Sequence, residues 1–152
     1  MRPYSMNPDL CRQRAVQLAN KVPVARAKLR LRRYWLAAGW SLVFLIIYLS
    51  LTPEPVQLNV EQGDKYGHVF AYAALMSWFA NIYQGSLRRL QFALGFVALG
   101  IALEFVQGWT GYRSFELADM AADAAGVAAG WVCADPRIPN YLRWTERVLG
   151  RG

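Results

Sequence analysis

The stretch "GDKYGHVFAYAAL", residues 63–75, sets an acid, an amine, an imidazole and a phenol at the head of an otherwise apolar run. Lys65, His68 and Tyr72 are three and four positions apart, which is one face of a helix. Asp64, just before them, is an N-cap residue by type. Further along, "EFVQGW" carries Glu104 and Gln107 on a shared face, and "GYRSFELADMAADAAG" carries Arg113, Asp119 and Asp123. These are the groups of acid–base and anion-binding chemistry. Lys65 and Arg113 would hold a phosphate or a carboxylate. His68 or Glu104 would move a proton. Asp119 and Asp123, one helical turn apart, would orient those groups or hold a divalent cation. His68, Glu104, Asp119 and Asp123 are all metal-ligand types, yet their spacing fits no known ligand motif, so no metal is assigned and the cofactor is left open. No Ser-His-Asp or Cys-His pattern stands out as a nucleophile.

The elements that must position these groups are apolar. Hydrophobic residues make up 55% of the 152-residue chain and charged residues 18%, and the charges collect toward the ends. Mean hydropathy is a modest +0.14 because the tails are polar. Four runs approach the roughly 20 apolar residues a bilayer crossing needs. They are Tyr34 to Leu51, Lys65 to Tyr83, Leu90 to Trp109 and Leu117 to Ala134. The first has no ionisable group besides tyrosine and is stopped by Pro53 and Pro55. A soluble bundle would place polar residues every third or fourth position, and the first and third runs do not. Tyr34, Trp35, Tyr83, Trp109, Tyr112 and Trp131 sit near run ends, where amphipathic rings prefer the membrane interface. The sequence therefore predicts an all-α, polytopic membrane protein with four transmembrane helices. It divides into a basic tail (1–33), a four-helix membrane domain (34–134) and a basic amphipathic tail (135–152). The stretch "PNYLRWTERVLG" in the last of these reads as an interfacial helix.

Net charge is +7. Its distribution points to membrane lipids as partners and excludes nucleic acid. Nine of the 17 Lys and Arg precede residue 34, two more lie in "QGSLRR", and four lie in the C-terminal tail. Only Lys65 and Arg113 fall on the other side. By the positive-inside rule both tails are cytoplasmic, in the inner (cytoplasmic) membrane, and "TPEPVQLNVEQGD" and "TGYRSFE" face outward. The first apolar run begins late and lacks a small-x-small cleavage pattern, so no cleavable signal peptide is expected. Cys11 and Cys133 fall on the cytoplasmic side, where a disulfide is not expected.

With that orientation, the ionisable groups meet at one level. Lys65 and His68 start the second helix, Glu104 and Gln107 end the third, and Asp119 and Asp123 start the fourth, all at the outer end. Charges inside lipid cost about 2.5–3.5 kcal/mol each on insertion scales, and persist by pairing around a wet cavity. The fourth helix continues its stripe with Gly126 and Gly130, a GxxxG spacing that permits close helix approach. Asp64, Gly126 and Gly130 thus read as structural. The expected pairing couples Arg113 to Asp119, with Lys65 and His68 nearer Glu104.

The fragments "DKYGHVFAY", "EFVQGW" and "RSFELADMAADAAGVAAG" together resemble the VanZ-like family of small membrane proteins, from Asp64 to Gly130. The family's Asp-Lys, His and Tyr match Asp64, Lys65, His68 and Tyr72. Its Glu-x-x-Gln matches Glu104 and Gln107, and its Arg, Asp and glycines match Arg113, Asp119, Gly126 and Gly130. Many members carry Asn where this chain has Asp123. The resemblance implies a multi-pass envelope protein, and the family's namesake is associated with resistance to the glycopeptide teicoplanin.

Three functions follow as expectations. The first is an envelope protein that binds or modifies a lipid-linked or cell-wall substrate. His68, Glu104 and Asp119 would be catalytic there, and Lys65, Tyr72, Gln107, Arg113 and Asp123 would bind the substrate. The second is a non-enzymatic scaffold whose polar cluster locks the helices and presents a partner surface. The third, proton-coupled transport, is disfavoured because the cytoplasmic ends of the four helices lack a polar path.

Overall fold

The computed structural model describes residues 29–53, 63–111, 115–135 and 137–150. Among these residues every regular element is a helix: α1 (Arg32–Leu51), α2 (Gly63–Ile82), α3 (Ser86–Thr110), α4 (Leu117–Cys133) and α5 (Tyr141–Leu149). Arg113, Tyr112 and Cys11 lie outside the described residues, as does most of the basic N-terminal tail. Cys133 is exposed with a free thiol.

Two helices, α1 and α3, are long and apolar enough to cross a membrane. A soluble core helix would pass the same test, but it would be mostly buried. Only 11% of the apolar stretch of α1 and 28% of that of α3 are buried. Large apolar side chains such as Phe44, Phe70, Leu94, Phe105 and Val132 face outward. An apolar exterior of this extent is compatible with a lipid-facing protein.

The core runs along α2, whose Leu75, Met76 and Phe79 are fully enclosed. Phe79 stacks on Phe92 of α3 at 4.6 Å between ring centroids and meets Phe96 edge-on at 5.4 Å. The most extensive contact of α2 is with α4. Gly126 and Gly130 make it: a Cβ on Gly126 would lie 2.5 Å from the Val69 carbonyl oxygen, and one on Gly130 would overlap the Ala73 carbonyl. The small stripe thus lets two backbones touch, with α2 as the neighbour.

α1 lies across α2 at Gly39, where a Cβ would come within 2.9 Å of the Trp78 ring. It is tied at its start by Trp78 Nε1 donating to the Trp35 carbonyl at 2.9 Å. At its end Gln107 Nε2 donates to the Ser50 carbonyl and hydroxyl oxygens at 2.7 and 2.8 Å. α3 stops at Gly111, whose φ of 76° is the left-handed conformation a helix C-terminus commonly uses. The last carbonyls of α4 are satisfied by Arg89, which donates to Trp131 O and Ala134 O, both at 2.9 Å.

The C-terminal segment forms the short amphipathic helix α5. Asn140 caps it, accepting from the Arg143 N–H at 3.1 Å, and donates its own amide to the Asn81 carbonyl at 2.7 Å. Glu146 accepts from the N–H groups of Arg30 and Leu31 and from the Trp35 indole, each at 2.8 Å. That carboxylate docks α5 onto the start of α1.

Candidate functional site

α2 and α4 run alongside each other so that both of their N-terminal turns reach the same end of the bundle. His68, one turn into α2, faces Asp119 and Asp123 on successive turns of α4. His68 Nδ1 lies 2.8 Å from Asp123 Oδ1, and Nε2 lies 3.8 Å from Asp119 Oδ2. An ionised carboxylate only accepts, so with Asp123 in that form the 2.8 Å contact is donated by Nδ1–H. That fixes the ring and directs Nε2 toward Asp119. Asp119 and Asp123 are 3% and 2% exposed.

Lys65 stands one turn closer to the end of the bundle. Its Nζ is 3.0 Å from Glu116 Oε2 and 3.7 Å from Asp119 Oδ1. Glu104 enters from α3, is 1% exposed, and accepts the Glu116 backbone N–H on Oε2 at 3.1 Å. It therefore holds the extended residue that opens α4. Among the described residues, Glu104 Oε1, Asp119 Oδ1 and the Tyr72 hydroxyl are buried with no hydrogen-bond partner. Buried oxygens of this kind ordinarily find partners.

Several expected placements change. Lys65 and His68 make their ion pairs with Glu116, Asp119 and Asp123, because the close α2–α4 approach carries the α2 polar face onto α4. Asp64 lies inside the first turn of α2, which begins at Gly63, so it is not the N-cap. Gln107 shares a depth with Glu104, but its amide is spent on Ser50. The Arg113–Asp119 pairing lies outside the described residues, among which Lys65 and His68 are the basic groups near Asp119.

Glu116 was not singled out by the sequence because it precedes the apolar run of α4, although it lies three residues before Asp119 on the spacing of the same stripe. Ser50 was hidden at the end of an apolar run. Arg89 looked like one more topogenic charge, although its place opposite a helix C-terminus is a legible signal in hindsight.

The arrangement has the parts of an acid–base site: an imidazole oriented by a carboxylate, a second carboxylate facing its other nitrogen, and an ammonium at the rim. Among the described residues, one oxygen of Asp64, one of Asp119 and a His68 nitrogen also lie within 4.8 Å of one another, a grouping that could hold a cation. No protein-family model, no curated protein and no solved structure matches the chain.

Proposed function

We propose that the chain is a VanZ-like, four-helix protein of the bacterial inner membrane, with both tails cytoplasmic. Its acid–histidine cluster opens to the extracytoplasmic face and binds and modifies a lipid-linked or cell-wall substrate. The observation that carries this reading is the meeting of His68, Glu104, Asp119 and Asp123 from three helices, with two of their buried carboxylate oxygens lacking a hydrogen-bond partner among the described residues.

In this reading Lys65 and Arg113 hold an anionic group of the substrate. His68 Nε2 takes a proton from the attacking group, and Asp123 stabilises the imidazolium that forms. Glu104 or Asp119 returns a proton to the leaving group. The resemblance to the VanZ-like family adds a link to glycopeptide resistance.

A second reading has one observation in its favour: His68–Asp123 and Lys65–Glu116 both bridge α2 and α4, as helix locks would. Lipid-linked precursors and muropeptides of a deletion strain, complemented with wild-type or Glu104→Gln protein at matched membrane levels, separate the two. Catalysis predicts that Glu104→Gln leaves the deletion profile uncorrected. Full correction by Glu104→Gln would favour the scaffold.

A further inference from the structure

The end of the bundle away from His68 holds a second polar site. Asn81 is thirteen residues beyond His68 on α2, about 20 Å along the axis. There the ends of α2 and α4 and the starts of α3 and α5 enclose a cleft of about 290 Å³. That is roughly the volume of ten waters. Arg89, Arg137, Arg143 and Arg147 line it together with Gln84 and one acid, Asp135.

Arg89, Arg143 and Arg147 each donate to neutral oxygens. Arg89 is fixed on the Trp131 and Ala134 carbonyls, with the Trp131 ring 5.0 Å from its carbon. Arg143 Nη2 donates to Gln84 Oε1 at 3.2 Å, and its Nε is enclosed with no hydrogen-bond partner among the described residues. Arg147 Nε donates to the Arg143 carbonyl at 3.4 Å. Asp135 Oδ1 accepts the Arg137 backbone N–H at 2.8 Å, not a guanidinium. Glu146, the nearest acid on α5, is turned away onto Arg30, Leu31 and Trp35.

Arg137, Arg143 and Arg147 against the one lining carboxylate, Asp135, leave an excess of positive charge among the described residues of this concave site. Planar guanidinium donors converging from separate elements match the several acceptor oxygens of a phosphate. The start of α5 adds its partial positive charge. We infer that this cleft binds a phosphate group, carried either by an anionic phospholipid or by a small soluble phosphate. Exposed Tyr141, Trp144, Val148 and Leu149 on α5 would set the cleft at headgroup level. The lipid source rests on the membrane reading, whereas the soluble source does not.

The test uses the purified full-length chain in a non-ionic detergent, with bound ligand counted by native mass spectrometry and affinity read from melting shifts. The probes are dioleoyl phosphatidate, dioleoylglycerol with the same chains and no phosphate, and glycerol 3-phosphate. Arg143→Gln/Arg147→Gln removes cleft charges, and Arg137→Gln, at an exposed position, serves if the double variant melts early. Arg88→Gln is the control, an exposed arginine on the same end but outside the cleft. Phosphatidate binding with dioleoylglycerol excluded, weakened about tenfold in the cleft variants and unchanged in Arg88→Gln, supports a headgroup site. Glycerol 3-phosphate binding with the same variant pattern supports a soluble phosphate. Equal binding of dioleoylglycerol and phosphatidate, no binding of either phosphate, or equal loss in Arg88→Gln would overturn the inference.

Discussion

Asp123 joins three helices: its Oδ1 lies 2.8 Å from His68 Nδ1 of α2, and its Oδ2 rests against Gly100 of α3. Only a residue without a Cβ leaves room for that carboxylate. Asp123→Ala strands a buried imidazole N–H and is expected to destabilise by about 1–3 kcal/mol. Asp123→Asn keeps an acceptor and should cost less. Gly100→Ala pushes the carboxylate away and should approach the Asp123→Ala value. Melting in detergent ranks the three. An Asp123→Asn protein no more stable than Asp123→Ala would mean the contact is not a hydrogen bond.

The α2–α4 contact predicts a contrast among glycine-to-alanine changes. At Gly126 and Gly130 the added methyl meets the Val69 and Ala73 carbonyls, which are backbone and cannot swing aside. Each change should cost about 1–3 kcal/mol by overpacking. Gly95, in the middle of α3, has nothing within 4 Å of its Cβ position. Gly95→Ala should gain about 0.5–1 kcal/mol from helix propensity. Thermal unfolding of the three variants checks the sign at each site.

Apolar length and proline placed the helices, because a run such as Tyr34–Leu51 followed by Pro53 has few alternatives. The GxxxG spacing likewise showed that α4 must touch a neighbour. The spacing did not say which one, since a stripe gives the face of one helix and no information on its partner's rotation. His68 was therefore assigned toward Glu104, whereas the Gly126–Gly130 approach turns it onto Asp123. Gln107 failed for a related reason: equal depth with Glu104 does not mean a shared cavity, and Ser50 took its amide. Glu116 was missed because it stands before the apolar run, although its spacing to Asp119 and Asp123 continues their stripe.

Salt should separate the two bridges between α2 and α4. Lys65 and Glu116 are 35% and 46% exposed in their side chains, whereas His68 and Asp123 are 14% and 3%. Exposed pairs are screened once the Debye length falls to a few ångströms. Double-mutant cycles with Lys65→Met/Glu116→Gln and His68→Gln/Asp123→Asn should both show coupling at low salt. At about 1 M salt only the His68–Asp123 coupling should persist. Persistence of the Lys65–Glu116 coupling would mean that the pair is shielded from solvent.

The docking of α5 should depend on pH through Glu146. Burial pushes its pKa up, but the N–H donors of Leu31 and Arg30, the Trp35 indole and the Arg30 charge outweigh this and hold it below the usual glutamate value. A depressed carboxylate pKa contributes stability that is present above the unfolded value, about 4.3, and lost as pH falls through the lower folded value. Hydrogen-exchange protection of Tyr141–Leu149 should hold from pH 7 to 5 and fall below pH 4. Glu146→Gln should show weaker protection at pH 7 and little further loss in acid. Identical pH profiles for the two proteins would remove Glu146 as the anchor.

Everything proposed for the acid–histidine cluster depends on its opening to the outside of the membrane, and accessible-cysteine labelling tests that directly. With Cys11 and Cys133 replaced by serine, single cysteines are placed at Ser114, beside the start of α4, and at Ser86, at the start of α3. A membrane-impermeant maleimide is then applied to intact spheroplasts. The account predicts labelling at position 114 and protection at position 86 until the membrane is opened. Labelling at 86 with protection at 114 would turn the cluster toward the cytoplasm and contradict it.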